Sequence, residues 1–437
     1  MKAPSLDEKR LRQAVEARPG PDWLARFRET SLQRFLAAGF PTVRQEEWKY
    51  TSLAPLADLS DDWLTGTAAA PGETAERRAA TLARQVLGEF DAHSVMFVDG
   101  RLDTDSLPDA LPDGVCLAPL LNTGLPPRTA AGASADAMTA LNGALLTDGL
   151  RLTLADTAVL DKPLYLVFVV TGEGTAVASP RIVIEAGAHA RATIVEHYAG
   201  EAEARRFTNV VTDIVQEEAS RIGHYRLQQQ PAQSFQVSRL HAALAARARL
   251  DCHSLDLGGR LVRHDTMVRL ADREAAVALN GIYVTGGDQH IDNHTRIDHE
   301  APDTLSNEDY RGVLRDRSRA VFNGKVMVHK GADGTDAAQS NRNLLLSDKA
   351  EVDTKPELEI YADDVKCSHG ATVGQLDETA LFYLRSRGIG TESARHLLIF
   401  AFLRELLGRA DTPALAHRME RMLVGGLPEF DELETLP

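Results

Sequence analysis

The middle of the chain consists of short segments in which apolar and polar residues alternate. Between about residues 150 and 372 these segments include RIVIEA, FTNVVTDIV, FQVSRLHA and RAVFNGKVMV, and no helical period separates them. Alternation with a period of two is typical of β-strands that bury one face. Because so many consecutive strands lack crossover helices, the pattern excludes a doubly wound α/β fold. It predicts a mainly β core.

Related segments recur within this core at spacings of roughly 25 to 45 residues. In EAGAHARATIVEH, QEEASRIGHYRL and SDKAEVDTKPELEI, a small or charged residue precedes an alanine or serine and then an alternating strand. The spacing is too irregular for propeller blades but fits the coils of a β-solenoid. We therefore favour a β-helix, although a long sandwich or jelly roll shows the same alternation.

Both ends of the chain carry helical patterns. The residues from 6 to 38 predict two helices that are separated at RPGP. Beyond Gly374 three more helices are expected, the first with Asp377 as N-cap and Gly388 at its end, the second with Thr391 as N-cap. The third is PALAHRMERMLVGGL.

These patterns divide the 437 residues into three regions. Residues 1–150 form a helical and mixed region, residues 151–372 the β-helix core, and residues 373–437 a C-terminal helical subdomain. Within the first region, residues 60–150 mix short apolar runs with proline and glycine, so we expect loose organisation there that ends in a helix near residues 133–146.

Charge and hydropathy narrow the functional classes. The net charge of −15 argues against binding to nucleic acid or to anionic lipid, because both are polyanions. No run of 18 apolar residues occurs and the N-terminus is polar, so we expect a cytoplasmic protein that does not enter the membrane. The cysteines Cys116, Cys252 and Cys367 are far apart and odd in number, which makes a disulfide framework unexpected.

Sequence motifs of common enzymes are missing. The chain has no GxxxxGK[ST] segment that would hold nucleotide phosphates, and no GxSxG segment of a hydrolase. On a strand His290, Asp292 and His294 would project from one face with a spacing that resembles a metal site. A solvated face of mixed charge is the favoured interpretation, because Arg296 continues that face and would repel a cation.

The segment KCSHG carries the most reactive pair of side chains. Cys367 and His369 lie two residues apart, so on a strand both side chains point to the same side. Both are good ligands for iron, copper or zinc, but structural zinc sites and iron–sulfur clusters take four ligands. As a nucleophile and base the pair is poorly oriented. Residue chemistry leaves a shared metal site and simple structural burial equally open.

Two longer segments resemble a known family. The stretch from Tyr310 to Ile389, which contains YRGVLRDRSRAVFNGKVMVHKGADGTD and YADDVKCSHGATVGQLDETALFYLRSRGI, closely resembles the SufD branch of the SufB/SufD family of the SUF iron–sulfur cluster assembly system. GFPTVRQEEWKYTSL, residues 39–53, resembles the other SufD signature and is absent from SufB-like chains. Residues 60–150 carry little of the resemblance.

The resemblance implies a fold and a set of partners. Family members are right-handed parallel β-helices flanked by helical regions, they pair with SufB through the β-helices, and they bind the ATPase SufC through the C-terminal helices. The apolar stripe that includes Leu398, Phe402 and Leu406 is then the expected SufC contact. The nucleotide chemistry would belong to SufC, and this chain would bind no nucleotide. A homodimer of the isolated chain is compatible with this arrangement.

The resemblance also assigns the KCSHG segment. His369 matches the family histidine that helps to hold the nascent iron–sulfur cluster opposite a SufB cysteine, and Cys367 matches the neighbouring motif cysteine. The chain would thus be a non-catalytic scaffold subunit that shares iron or cluster with SufB. A reduced flavin is associated with such complexes, but no flavin motif occurs here. The alternatives are a SufB-like paralogue that acts as the main scaffold and a purely structural interaction protein.

Overall fold

The structure is a computed structural model that describes residues 7–59, 64, 72–124, 130, 136–172 and 177–426. It consists of a β-solenoid of about eight turns that is flanked by N-terminal and C-terminal helices. The helices are α1 (Glu8–Glu16), α2 (Asp22–Ala38), α3 (Glu73–Leu87), α4 (Ala137–Ala144), α5 (Glu378–Ser386), α6 (Thr391–Leu407) and α7 (Pro413–Gly426). The prediction of a β-helix with helical flanks is confirmed.

The strands follow one another with short turns. They are β1 (His93–Val98), β2 (Arg101–Leu102), β3 (Val115–Pro119), β4 (Gly149–Leu154), β5 (Leu164–Val170), β6 (Arg181–Ala186), β7 (Arg191–Gly200), β8 (Phe207–Gln216), β9 (Arg221–Gln228), β10 (Phe235–Leu244), β11 (Arg249–Asp256), β12 (Leu261–Leu270), β13 (Ala276–Thr285), β14 (His290–His299), β15 (Leu305–Leu314), β16 (Arg319–Val328), β17 (Asp336–Leu345), β18 (Glu351–Ile360) and β19 (Lys366–Gly374).

The strands form two sheets, and from β4 onward successive strands alternate between them. Sheet A has ten strands in the order β19-β17-β15-β13-β11-β9-β7-β5-β1-β2, and sheet B has nine in the order β18-β16-β14-β12-β10-β8-β6-β4-β3. Pairing is parallel except for β1 with β2 and β3 with β4. From β4 to β17 each strand pairs with the strand two positions further along the chain, so every turn of the solenoid adds one strand to each sheet.

A repeated corner explains the recurring sequence segments. His189, Ala219, Arg247 and Glu274 each have a positive φ between two strands, and such residues recur about once per turn. The residue that follows each of these four is small and completely buried, namely Ala190, Ser220, Ala248 and Ala275. The corner therefore needs a left-handed backbone residue followed by a small side chain, which is the pattern that the sequence shows.

The solenoid has a hydrophobic interior and a helical layer on each side. The interior cluster runs from Val95 and Leu150 at one end to Ala337 at the other. On the outer face of sheet A, α3, α6 and α7 pack against residues such as Tyr225 and Val313. On the outer face of sheet B, α1, α2 and α4 share a cluster with Phe235 and its neighbours. None of the helices within the described residues is long and apolar enough to cross a membrane.

Several local predictions can be compared with the structure. The two N-terminal helices and the three C-terminal helices are present, and the Asp377 carboxylate caps α5 by accepting from the Thr379 backbone N–H. The prediction that Thr391 caps the next helix is wrong, because α6 begins at Thr391 and Gly390 is its N-cap. Residues 73–87 were expected to be loosely organised but form α3, whose buried face is made of alanines.

The N-terminal region also contributes to the sheets. β1 pairs in parallel with β5 of sheet A, and β3 pairs with β4 of sheet B. The antiparallel β2 and β3 end the two sheets on this side, which we call the closed end. The division of the chain at residues 150 and 372 stays a prediction.

Candidate functional site

Cys367 and His369 lie at the opposite end of the solenoid from the closed end. Both are in β19, which pairs only with β17 among the described strands, so that Ala337 is opposite Cys367 and Gln339 is opposite His369. Ala337 belongs to the interior core and Cys367 packs against that core. Since side chains two residues apart in a strand share a face, His369 also lies on the interior face. The pair therefore stands at the mouth of the solenoid.

The last coil leaves this end uncovered. Within the part of the chain that the structure describes, β18 pairs only with β16 and is half-buried, while β19 is exposed along most of its length. Ile360, Tyr361 and Val373 are exposed apolar side chains at this end. We call β18, β19 and the linking residues 361–365 the open end. An edge with unpaired backbone groups and apolar side chains is a template for pairing with another β-structure.

The two candidate ligands differ in their surroundings. Cys367 is partly buried, whereas the His369 ring is exposed and makes no hydrogen bond to the described residues. Burial raises the pKa of the Cys367 thiol, and the nearby Asp336 carboxylate acts in the same direction. Because a thiol with a raised pKa carries little thiolate, Cys367 is not an activated nucleophile. To act as a ligand, the thiol would have to release its proton when the metal binds.

The pair does not complete a metal site within this chain. Across the described ranges, no group of three or more histidine, cysteine, aspartate and glutamate side chains is arranged to hold a metal ion. Cys116 on β3 is exposed, and Cys252 lies on the interior of sheet A far from the open end. Neither cysteine lies beside His369.

The second candidate set, in β14, has a structural role. Asp292 accepts from Arg263 Nη1 at 2.7 Å and from Thr51 Oγ1 at 2.5 Å, and it contacts His294 Nε2 at 3.0 Å. Burial by itself would raise the pKa of Asp292, but His294 and Arg263 outweigh burial and hold that pKa below its usual range. His290 is hydrogen-bonded to Thr51 at 2.8 Å. The face is thus a buried ion-pair network, neither a metal site nor the solvated face that was favoured.

The N-terminal signature supplies the cover of this network. The Trp48 ring lies 3.9 Å from the Arg263 guanidinium, Glu47 Oε2 is 3.6 Å from His294 Nδ1, and Lys355 Nζ bonds Glu46 Oε1 at 2.7 Å. We call residues 46–51 the N-terminal clasp. It crosses the outer face of sheet B from β12 to β18. These contacts give a physical reason why the segment GFPTVRQEEWKYTSL is a distinctive signature.

The C-terminal helices are fixed to sheet A by apolar and ionic contacts. Arg311 of β15 is buried, and it donates to the carbonyl of Phe402 and, at 2.6 Å, to Glu405. Of the residues predicted to bind SufC, Leu398 and Phe402 are half-buried, while Leu406 is only 1% exposed and packs on the solenoid. Their role in binding stays a prediction.

Other apolar surface is available on the shortest of these helices. Phe382 is 72% exposed and Tyr383 is 56% exposed, both in α5. Large aromatic side chains that point into solvent are typical of protein interfaces. Sequence patterns did not single them out, because LDETALFYLRSRGI indicates the existence of the helix more clearly than the identity of its buried face.

Fold and site together define a helix-flanked β-solenoid with an incomplete pair of metal donors at an open end. Residues 168–402 match the family model described as SUF system FeS cluster assembly, SufBD core domain, and residues 10–166 match that of the SufBD protein N-terminal region. The chain belongs to the SufBD family of iron–sulfur cluster assembly proteins.

Individual relatives agree with this assignment. The chain is 35% identical over 386 residues to the iron–sulfur cluster assembly protein SufD of Escherichia coli K12, which covers 86% of each chain. It is 30% identical over 398 residues to an iron–sulfur cluster assembly SufBD family protein of Synechocystis, covering 87% of this chain and 86% of the relative. It is also 28% identical over 272 residues to SufD of Bacillus subtilis, with 61% of each chain covered.

Proposed function

We propose that this chain is a non-catalytic scaffold subunit that holds a nascent iron–sulfur cluster jointly with a SufB-type partner. The observation that carries the proposal is the position of His369, on the interior face of an edge strand at the open end of the solenoid. A ligand at this position can reach a metal held by a second solenoid that docks on the same end. The cluster is the cargo of the complex, and the remaining ligands come from the partner.

The roles of the two ligand candidates follow from their environments. The exposed His369 ring can turn toward a docked partner without loss of hydrogen bonds to described residues. Cys367 is held against the interior core and its thiol has a raised pKa, so it is the secondary donor. A neutral imidazole is a good ligand for iron at neutral pH.

The partner surfaces lie on different parts of the molecule. The open end, with Ile360 and Val373, would pair with the solenoid of SufB. The C-terminal helices, with the exposed Phe382 and Tyr383 of α5 and the half-buried stripe of α6, would dock the ATPase SufC. The isolated chain would then carry no turnover of its own, and nucleotide hydrolysis would take place in SufC.

A histidine variant tests the ligand role. His369→Ala should abolish cluster formation by the complex reconstituted with SufB-type and SufC-type chains, measured as iron and acid-labile sulfide per complex. Ser368→Ala is the matched control, since Ser368 is exposed in the same strand but on its other face. Folding and SufC binding should be unchanged in both variants. Normal cluster yield from His369→Ala would leave a purely structural role for this end.

A further inference from the structure

Three polar residues stand in line inside the last turns of the solenoid. The register of sheet A places Glu308 of β15 opposite Gln339 of β17, and Gln339 opposite His369 of β19. Neighbouring strands in a sheet are about 4.8 Å apart, which is within reach of glutamine and histidine side chains on one face. All three belong to the interior face, which they share with Tyr310 and Ala337 of the core.

The two inner members of this line are buried and joined to each other. Glu308 is 2% exposed and Gln339 is 4% exposed. The Gln339 amide nitrogen donates to Glu308 Oε2 at 2.6 Å. A Cβ atom at Gly324 of the opposite sheet would collide with the same amide nitrogen, so the glycine leaves the space that this side chain fills. The position of the Gln339 amide is therefore set from two sides.

The other end of the Gln339 amide is unsatisfied. Its carbonyl oxygen is buried and has no hydrogen-bond partner within the described part of the chain. A buried acceptor without a partner costs about 1–3 kcal/mol, so such an atom calls for an explanation. The next residue in the line is His369, whose ring also makes no hydrogen bond to the described residues. A turn of the exposed imidazole about its side-chain bonds can bring a ring N–H to this oxygen.

We propose that Gln339 is a positioning residue for His369, with its carbonyl oxygen accepting a hydrogen bond from one ring N–H while Glu308 holds its amide. The inference rests on the proposed function of His369 as a ligand. Histidines that bind metals almost always donate their second ring N–H to a protein acceptor, which fixes the tautomer and the ring orientation. The nitrogen that is not bonded to Gln339 then faces the docked partner.

Glu308 has the properties that this arrangement needs. Its carboxyl group accepts from the Gln339 amide in either protonation state, since a protonated carboxyl keeps an acceptor oxygen. When Glu308 is ionised, as it is at pH 8, the amide is prevented from flipping, because a flipped amide would place its oxygen against carboxylate oxygens that carry no proton. Gln339 is the residue of β17 directly opposite His369, so its oxygen is the nearest acceptor along this line of sheet A.

The state of the His369 ring tests the inference in the full-length isolated chain. Histidine is labelled with ¹⁵N, and the His369 signals are assigned from their loss in His369→Ala. In the wild type at pH 8 one neutral tautomer should dominate. Gln339→Leu, which fills most of the same space but removes the acceptor, should shift the His369 ¹⁵N signals toward those of a histidine in water. Glu308→Leu should do the same, whereas Glu308→Gln, which retains an acceptor oxygen, should preserve the wild-type pattern.

The outcomes are separable from those for the proposed function. In the reconstituted complex Gln339→Leu should lower the iron affinity at this site by about 10-fold to 100-fold. If the wild-type ring shows the tautomer mixture of a free histidine, the inference is overturned, whether or not the leucine variants fold. If the tautomer is fixed but His369→Ala gives normal clusters, the proposed ligand role fails while the hydrogen bond stands. Unchanged His369 signals in a folded Gln339→Leu variant would overturn the inference alone.

Discussion

At the scale of single residues, the interior of the solenoid contains buried polar and ionisable side chains as well as apolar ones. The Glu196 carboxylate is buried there. Its Oε1 atom lies 2.9 Å from His224 Nε2 and accepts a hydrogen bond from Thr212 Oγ1 at 2.7 Å. Further along, the Gln339 amide and the Thr295 hydroxyl both act to lower the pKa of Glu308, but no basic side chain pairs with it among the described contacts. Burial therefore raises the pKa of Glu308 to about 7. An unpaired buried carboxyl of this kind destabilises the fold when it is ionised.

The free energy of unfolding should reveal this through its pH dependence. The folded chain holds the Glu308 proton up to about pH 7, whereas the unfolded chain loses it near its ordinary value, so this residue makes stability fall as pH rises between these values. Glu308→Gln should match the wild type near pH 4.5 and exceed it by about 3 kcal/mol at pH 8. Urea unfolding at both pH values measures the difference. An equal difference at both values would contradict the raised pKa.

The sequence identified one part of the candidate site and missed the other. Cys367 and His369 stood out because their chemistry is reactive and they are neighbours in the chain. Gln339 and Glu308 are ordinary residue types, and they align with His369 only because each turn of the solenoid brings residues about 30 positions apart into register. Finding this alignment from the sequence requires the number of residues in each turn, which the irregular spacing of the repeat did not give. The burial of Asp292 was missed for a related reason, since its cover comes from the distant Thr51.

At the scale of elements, α6 and α5 have different tasks although they are neighbours in the chain. α6 places Ile399, Leu403, Leu406 and Leu407 in the cluster on the outer face of sheet A. α5 buries Leu381 but leaves two aromatic side chains in solvent. The helix that holds the subdomain in place and the helix that offers new apolar surface are thus distinct.

Two substitutions separate these tasks. Leu406→Ala should lower the free energy of unfolding by roughly 2–5 kcal/mol, because it leaves a cavity under α6. Phe382→Ala should change the stability little, because the ring is mostly exposed, but it should weaken the association with the SufC-type ATPase. Chemical denaturation and a titration with the ATPase measure the two effects. Wild-type affinity in Phe382→Ala would exclude this face of α5 from the interface.

Elements were predictable where their signal is local. The alternating run from Phe207 corresponds to β8, and the left-handed corners with small residues after them produce the repeat that indicated a solenoid. α3 was not predicted, because its buried face consists of Ala75, Ala79 and Ala83, which give little contrast with a polar loop. Packing against sheet A, which no local pattern reports, is what makes this helix part of the fold.

At the scale of the whole molecule, the two ends of the solenoid are unlike. The closed end finishes with antiparallel strands, while the open end finishes with the parallel edge strands β18 and β19. Natural proteins seldom leave such an edge without charge or cover, yet β19, unlike the charged β18, carries only Lys366 as a charged side chain. The asymmetry favours a single docking direction for a second solenoid.

A pair of lysine substitutions tests this direction. Val373 at the open end and Val159 near the closed end have similar exposed fractions, 49% and 51%. Val373→Lys should reduce the association with the SufB-type chain at least 10-fold, since it places a charge in an apolar interface. Val159→Lys should leave the association unchanged. Both variants should keep the wild-type free energy of unfolding. Equal affinities for the two would move the interface away from the open end.

The N-terminal clasp has a consequence for the order in which the protein matures on the ribosome. The turns of a solenoid depend on their neighbours, so they can form one after another as the chain emerges. The clasp cannot do this, because Thr51 bonds a residue 241 positions later and Glu46 bonds a residue 309 positions later. At about 5–20 residues per second, the clasp waits on the order of 10–60 s for these two partners. During that interval the Trp48 indole lacks its docking surface, and closure of the clasp marks the moment at which the chain has been synthesised as far as β18.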